Sequence, residues 1–210
     1  MNTAALVIYL AVMAITPGPN NLILAASGLN HGFRRTVPSL FGIATGIALQ
    51  AAIIIVFMGQ LAGLLGSVKP LLTLAGCSYL LYLAWQIQRS SVLDDEDGAS
   101  KPMSFMGGIW FQWLNPKTWM ISLNMGMVFL PQSMPASQAA VLFFVVVFAT
   151  MMPCISVWAG AGVALQRLLN TPRRMRLFNT AMALTLAATA MWLLLANLPT
   201  SPTLPAGLNA

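Results

Sequence analysis

The few charged residues of this chain divide it into long stretches that carry none: Met1 to Phe33, Thr36 to Val68, Pro70 to Gln88, Thr118 to Gln166, and Leu177 to the end. A helix needs about 20 mostly apolar residues to cross the hydrocarbon core of a bilayer. Lipid offers the backbone no hydrogen-bond partners, so a crossing segment must satisfy its own, as a helix does. With the fourth span starting near Ser104, the economical division is six membrane-spanning helices, at about 3–27, 37–58, 70–88, 105–130, 138–165 and 177–197. Only 7% of the residues are charged, against about a quarter in a soluble domain. That excludes an ordinary soluble protein.

Orientation follows from where Lys and Arg fall in the short loops. The loops after spans one, three and five hold Arg34, Arg35, Arg89, Lys101, Arg167, Arg173, Arg174 and Arg176, while the opposite side holds Lys69. This asymmetry predicts both termini on the outside. The N-terminus lacks the basic start of a cleavable signal, so the first span is read as structure. The chain organises as a three-span repeat (1–88), a cytoplasmic linker (89–103), a second three-span repeat (104–197) and a proline-rich flexible tail (198–210).

All four acidic residues, Asp94, Asp95, Glu96 and Asp97, form one run in that linker. No span contains a carboxylate, which excludes any mechanism built on a buried Asp or Glu and removes the usual route for proton coupling. The lone histidine, His31, has no carboxylate partner within the membrane, and no cluster of residues has metal-ligand spacing. An enzyme is therefore not expected, nor a cofactor or metal. The net charge of +6 is a shortage of acids. No basic stripe with interleaved aromatics accompanies it, so no nucleic-acid partner is expected.

The most informative segment is Thr16-Pro17-Gly18-Pro19-Asn20-Asn21, midway along the first span. Pro17 and Pro19 cannot donate to the carbonyls of Met13 and Ile15, and each biases the residue before it towards extended backbone. The helix must break here, with Gly18 as cap and Pro19 as the first residue of a second half-helix, leaving the amides of Asn20 and Asn21 open. A similar device recurs about 98 residues later at Asn115-Pro116-Lys117, where Asn115 is a favoured N-cap and Pro116 a favoured first position. The same offset lays spans one to three over spans four to six. An odd number of spans per half makes the halves run in opposite directions, the inverted-repeat plan of secondary transporters.

Two helix N-termini approaching the midplane from opposite sides suit a carboxylate. Freed carbonyls such as those of Met13, Ile15 and Gln112 suit an ammonium group. A small zwitterion fits the combination. Lys117 is costly within a span, by roughly 2.5 to 3.5 kcal/mol on insertion scales, and should face water, a partner or substrate. Asn124 lies seven residues on, near the same helix face, and extends a polar path. The substrate-contact candidates are thus Thr16, Pro17, Gly18, Pro19, Asn20, Asn21, Asn115, Pro116, Lys117 and Asn124. Gly42 and Gly46, like Gly59 and Gly63, are spaced for close helix packing, which is compatible with a homodimer. Pro153 should kink span five.

These motifs, with Gly32-Phe33-Arg34-Arg35, the stretch from Tyr79 to Trp85 and Gln112-Trp113-Leu114 before Asn115, resemble the LysE/RhtB family of bacterial amino-acid exporters. The resemblance covers nearly the whole chain and is strongest to the branch of cysteine and O-acetylserine exporters. It implies efflux of a small neutral amino acid or derivative (cysteine, O-acetylserine, threonine or homoserine class) across the inner membrane, with contacts at both broken helices. Two other classes compete. A membrane thiol-redox carrier would use Cys77 and Cys154, but these fall in non-equivalent spans and form no C-x-x-C pair. A non-transporting scaffold would use the glycine faces equally well.

Overall fold

Residues 2–89, 101–131, 134–169 and 171–197 are described by a computed structural model. They form seven helices and no strand: α1 Thr3–Ile15, α2 Pro19–Val56, α3 Met58–Arg89, α4 Phe105–Leu114, α5 Pro116–Phe129, α6 Ala136–Leu168 and α7 Pro172–Asn197. The acidic run and the tail lie outside the described residues. Three helices, Pro19–Val56, Ala136–Leu165 and Pro172–Leu195, are long and apolar enough to cross a membrane.

Both proline breaks fall where the local chemistry requires them. Helix α1 stops at Ile15, and α2 restarts at Pro19 with extended Gly18 as its N-cap. Helix α4 stops at Leu114, and α5 restarts at Pro116 with Asn115 as its N-cap. Two predicted loops shrink to single residues. Where a loop around Arg34 and Arg35 was expected, helix continues on both sides of one non-helical residue, Gly32 (φ 78°, ψ 165°). The predicted exterior loop between spans two and three is also helical, with only Phe57 separating α2 from α3. Leu61, Ala62, Leu64 and Leu65 there are strong helix formers, and they outweigh the intervening glycines. Helix α6 runs through Pro153, and α7 starts at Pro172, taking in three of the arginines assigned to a loop.

Only glycine adopts the Gly32 backbone readily. A Cβ there would meet nothing within 4 Å, so Gly32→Ala tests backbone strain alone. It should cost about 1 to 3 kcal/mol and lower the melting temperature in detergent by several degrees; an unchanged melt would refute the strain.

Two apolar clusters build the core. One joins α1, α2, α5 and α6 through Leu6, Leu24, Ile43, Met125, Phe143 and Met151; the other joins α2, α3, α4 and α7 through Leu22, Ile23, Leu80, Phe111 and Leu186. Helix α2 serves both and is the central element: most of its apolar stretch is buried, whereas α6 and α7 bury only a minor share of theirs. The outer faces carry exposed Val141, Val157, Leu184 and Trp192, a surface suited to lipid and costly in water. Helices α2 and α4 touch at backbone distance: a Cβ on Gly42 would lie 2.1 Å from the Phe105 carbonyl, and one on Gly108 2.8 Å from the Ile43 nitrogen. Gly28 and Gly162 make an equivalent contact between α2 and α6. The Gly42 and Gly46 face, read as compatible with a homodimer, is therefore spent inside the chain. Side chains at Gln60 and Lys69 lie outside the described set, as does packing at Gly59 and Gly63.

Candidate functional site

At the first break, the Thr16 amide and hydroxyl both donate to the Val12 carbonyl, at 3.0 and 2.7 Å, and close α1. Asn21, 3% exposed, turns its side-chain amide back onto the carbonyls of Ala14 and Thr16, at 2.8 and 2.9 Å. A side chain of α2 thereby caps the end of α1 and fixes the geometry of the gap. Gly18 offers no side-chain cap to α2, so its first turn is open as the prolines imply.

At the second break, the Asn115 side-chain oxygen accepts from the Lys117 amide at 3.1 Å. The Gln112 carbonyl, freed by Pro116, is taken by the Thr118 hydroxyl at 2.8 Å and the Gln50 side-chain amide at 2.9 Å. This corrects the expectation that it receives a substrate ammonium. Interior polar groups with low dielectric around them are paired wherever a donor can reach, and Gln50 on α2 lies within reach.

The two breaks meet. Asn20 and Gln112 exchange a reciprocal pair of side-chain hydrogen bonds, 3.0 Å from Asn20 Nδ2 to Gln112 Oε1 and 3.2 Å in return. Lys117 Nζ donates to the carbonyl of Thr16 at 2.8 Å and that of Pro17 at 3.4 Å. Lys117 therefore turns towards the other break rather than snorkelling to the surface. A cavity of about 20 Å³ lies at this junction, lined by Gly18, Asn20, Asn21, Asn115, Lys117 and Thr118 with apolar residues of α1, α2, α5 and α6. It has room for about one water.

Five of the expected contact residues, Gly18, Asn20, Asn21, Asn115 and Lys117, thus share one cavity. Thr16 and Pro17 contribute carbonyls from its edge, and Pro19 and Pro116 set the breaks without lining it. Asn124 is exposed and outside it. The Gln112 side chain and Thr118 were missed. Their signal was position: polar side chains within three residues of a predicted break, in an otherwise apolar span. Trp110, 64% exposed, and Trp113, packed edge-on against Trp119, do not line the cavity.

A second cavity, about 50 Å³, lies beside the Gly32 turn, lined by Ser27, Asn30, His31, Gln86, Lys101 and Met103 among others. Asn30 and Asn179 form a reciprocal amide pair there at 3.2 Å each way, and Ser39 ties α2 to the Met103 carbonyl. Cys77 is buried in the second cluster with its thiol on the Ala190 carbonyl, whereas Cys154 packs against the first; both are free. Among the described residues no group of three or more His, Cys, Asp or Glu is placed to hold a metal.

Residues 11–197 match the family model for the LysE type translocator. The chain is 32% identical over 166 residues to the cysteine/O-acetylserine efflux proteins of Escherichia coli K12, Shigella flexneri serotype 5b and Shigella sonnei, covering 76% of this chain and 82% of each relative. No solved structure matches it. Its apolar helices and this kinship make it a multi-pass membrane protein, and the chain belongs to the LysE family of translocators.

Proposed function

We propose that this protein exports a small neutral amino acid or derivative, of the cysteine, O-acetylserine, threonine or homoserine class, from the bacterial cytoplasm by alternating access. The observation that carries the reading is the bridge between the breaks: Asn20 to Gln112 and Lys117 to Thr16 join segments 92 and 101 residues apart. A scaffold has no need of two unwound segments whose polar groups bridge one another midway along apolar spans. The names of the relatives favour cysteine or O-acetylserine.

The transport cycle follows from the size of the junction. A cavity with room for one water cannot hold an amino acid, so this conformation is closed, and loading requires the breaks to part. We read residues 1–88 and 104–197 as two inverted three-span repeats that interlock, since most helix packing runs between them, so the opening is confined to the segments around the breaks. Support comes from the packing partners: α1 and α2 pack on α6 as α4 packs on α2, and α3 packs on α7, which is how exchange of the two halves would map the contacts. The basic residues put both termini in the periplasm. Separate locations for Cys77 and Cys154 weigh against a thiol-redox carrier.

Proteoliposomes loaded with labelled cysteine, O-acetylserine, threonine, homoserine or lysine test the proposal. Export of one or more of the neutral compounds is expected, with lysine slower by about tenfold or more, since a second cation would sit beside Lys117 unpaired. A preference for lysine would overturn the neutral-substrate reading, and no export of any compound would overturn transport.

A further inference from the structure

The closed site already contains an ammonium group, and it belongs to the protein. Lys117 Nζ rests on the carbonyls of Thr16 and Pro17 at 2.8 and 3.4 Å, acceptors that lie between the two helices of the first break. We propose that Lys117 is a tethered stand-in for the ammonium end of the substrate. It fills that subsite while the carrier is empty, and it yields only to a ligand that supplies its own ammonium to the carbonyls and its own carboxylate to the released lysine. The proposal rests on the amino-acid transport reading above and specifies how that site selects.

Four observations support the exchange. All carboxylate side chains lie at positions 94 to 97, so none within the spans can neutralise Lys117, and backbone oxygens must do so until a ligand arrives. Asn115 is 1% exposed, lines the same cavity, and its Nδ2 has no partner. An unpaired buried donor is costly, and this one sits two residues from Lys117, where a carboxylate would satisfy both. Gly18 is the residue against which the lysine lies: a Cβ there would stand 2.9 Å from Nζ and 3.0 Å from Cδ. Finally, the lysine contact joins the two breaks, so displacing it removes one of the bonds that keep them together.

The exchange conserves charge. Before it, one ammonium sits on the carbonyls. Afterwards the substrate ammonium sits there, and the lysine is paired with the substrate carboxylate. An amino-acid ester would leave two cations and no anion. An N-acetylated amino acid has nothing with which to displace the lysine. The site should therefore demand both free ends of an α-amino acid.

The test measures binding of a transported amino acid, its methyl ester and its N-acetyl derivative to the purified full-length protein, for the wild type and for Lys117→Met, which keeps an unbranched stem without charge. The wild type should bind the ester about ten- to hundredfold more weakly than the parent, the value of a charge-assisted hydrogen bond. Lys117→Met should bind the ester more tightly than the wild type does, by a similar factor, while losing affinity for the parent. Equal ester affinity in both proteins, or equal weakening of ester and parent, would overturn the exchange. Lys117→Gln supplies an independent check, since a polar side chain without charge also removes the second cation, and ester binding should rise. No rise in that variant also overturns the proposal, even if Lys117→Met fails to fold. A wild type that binds none of the neutral amino acids overturns the transport reading and the exchange together, whereas normal parent binding with unchanged ester selectivity overturns the exchange alone.

Discussion

Gln112→Leu is expected to reduce export by about tenfold or more while the protein still reaches the membrane. Gln112 is fully buried, and its side chain makes the reciprocal pair with Asn20 and donates to the Gly108 carbonyl at 3.0 Å. Leucine fills similar space but leaves both ends of the Asn20 amide without a partner. Asn20 is half-buried, and a polar group stranded away from water costs about 1 to 3 kcal/mol, equivalent to about five- to 150-fold in any equilibrium that depends on the closed junction. Structure and function separate in the double variant. Replacing both members by apolar residues removes the stranded group and is nearly neutral for stability, so Asn20→Leu with Gln112→Leu should regain thermal stability over the single variant. Export should stay low, because the clasp itself is gone. Recovery of export along with stability would show that the pair only packs.

Gly42→Ala is expected to lower the melting temperature in detergent by about 5 °C or more and to reduce export with it. The new Cβ would lie 2.1 Å from the Phe105 carbonyl oxygen and within 3.0 Å of two further backbone atoms. Backbone cannot rotate away as a side chain can, so α2 and α4 must separate, and overpacking of this kind costs about 1 to 3 kcal/mol. Separation also strains the bonds that these helices carry, Gln50 to the Gln112 carbonyl and Asn20 to Gln112. The control is Gly160→Ala in α6, where a Cβ meets nothing within 4 Å. Alanine is the better helix former by about 0.8 to 1.0 kcal/mol, so this variant should melt at the same temperature or slightly higher. Equal melts for the two variants would show that the α2–α4 contact is looser than its distances imply.

The parts of the site that were legible beforehand share a cause. A proline lacks an amide hydrogen whatever surrounds it, so the gaps at 16–18 and at Asn115 could be located residue by residue, and Gly18 and Asn115 could be assigned as caps. The loops were less legible. Arg34, Arg35 and Lys69 mark polar positions, but a polar position is not a helix end, and helix continues around Gly32 and through 58–69. The fate of the freed carbonyls was not legible at all. Gln112 was expected to present its carbonyl to a ligand, and Gln50 and Thr118 claim it instead.

The chain by itself determined its membrane character, its two helix breaks and the confinement of its carboxylates to one consecutive run, because each depends only on the identity, transfer energy or covalent geometry of neighbouring residues. Tertiary structure alone decided which groups satisfy the breaks: Asn21 caps the helix before its own, Gln112 clasps Asn20, and Lys117 reaches back to Thr16 and Pro17. The physical reason is range. A missing amide acts on a carbonyl one turn away, whereas a partner about 100 residues distant is chosen by which faces can pack, and here glycines let α2 lie against α4 closely enough for the two breaks to meet.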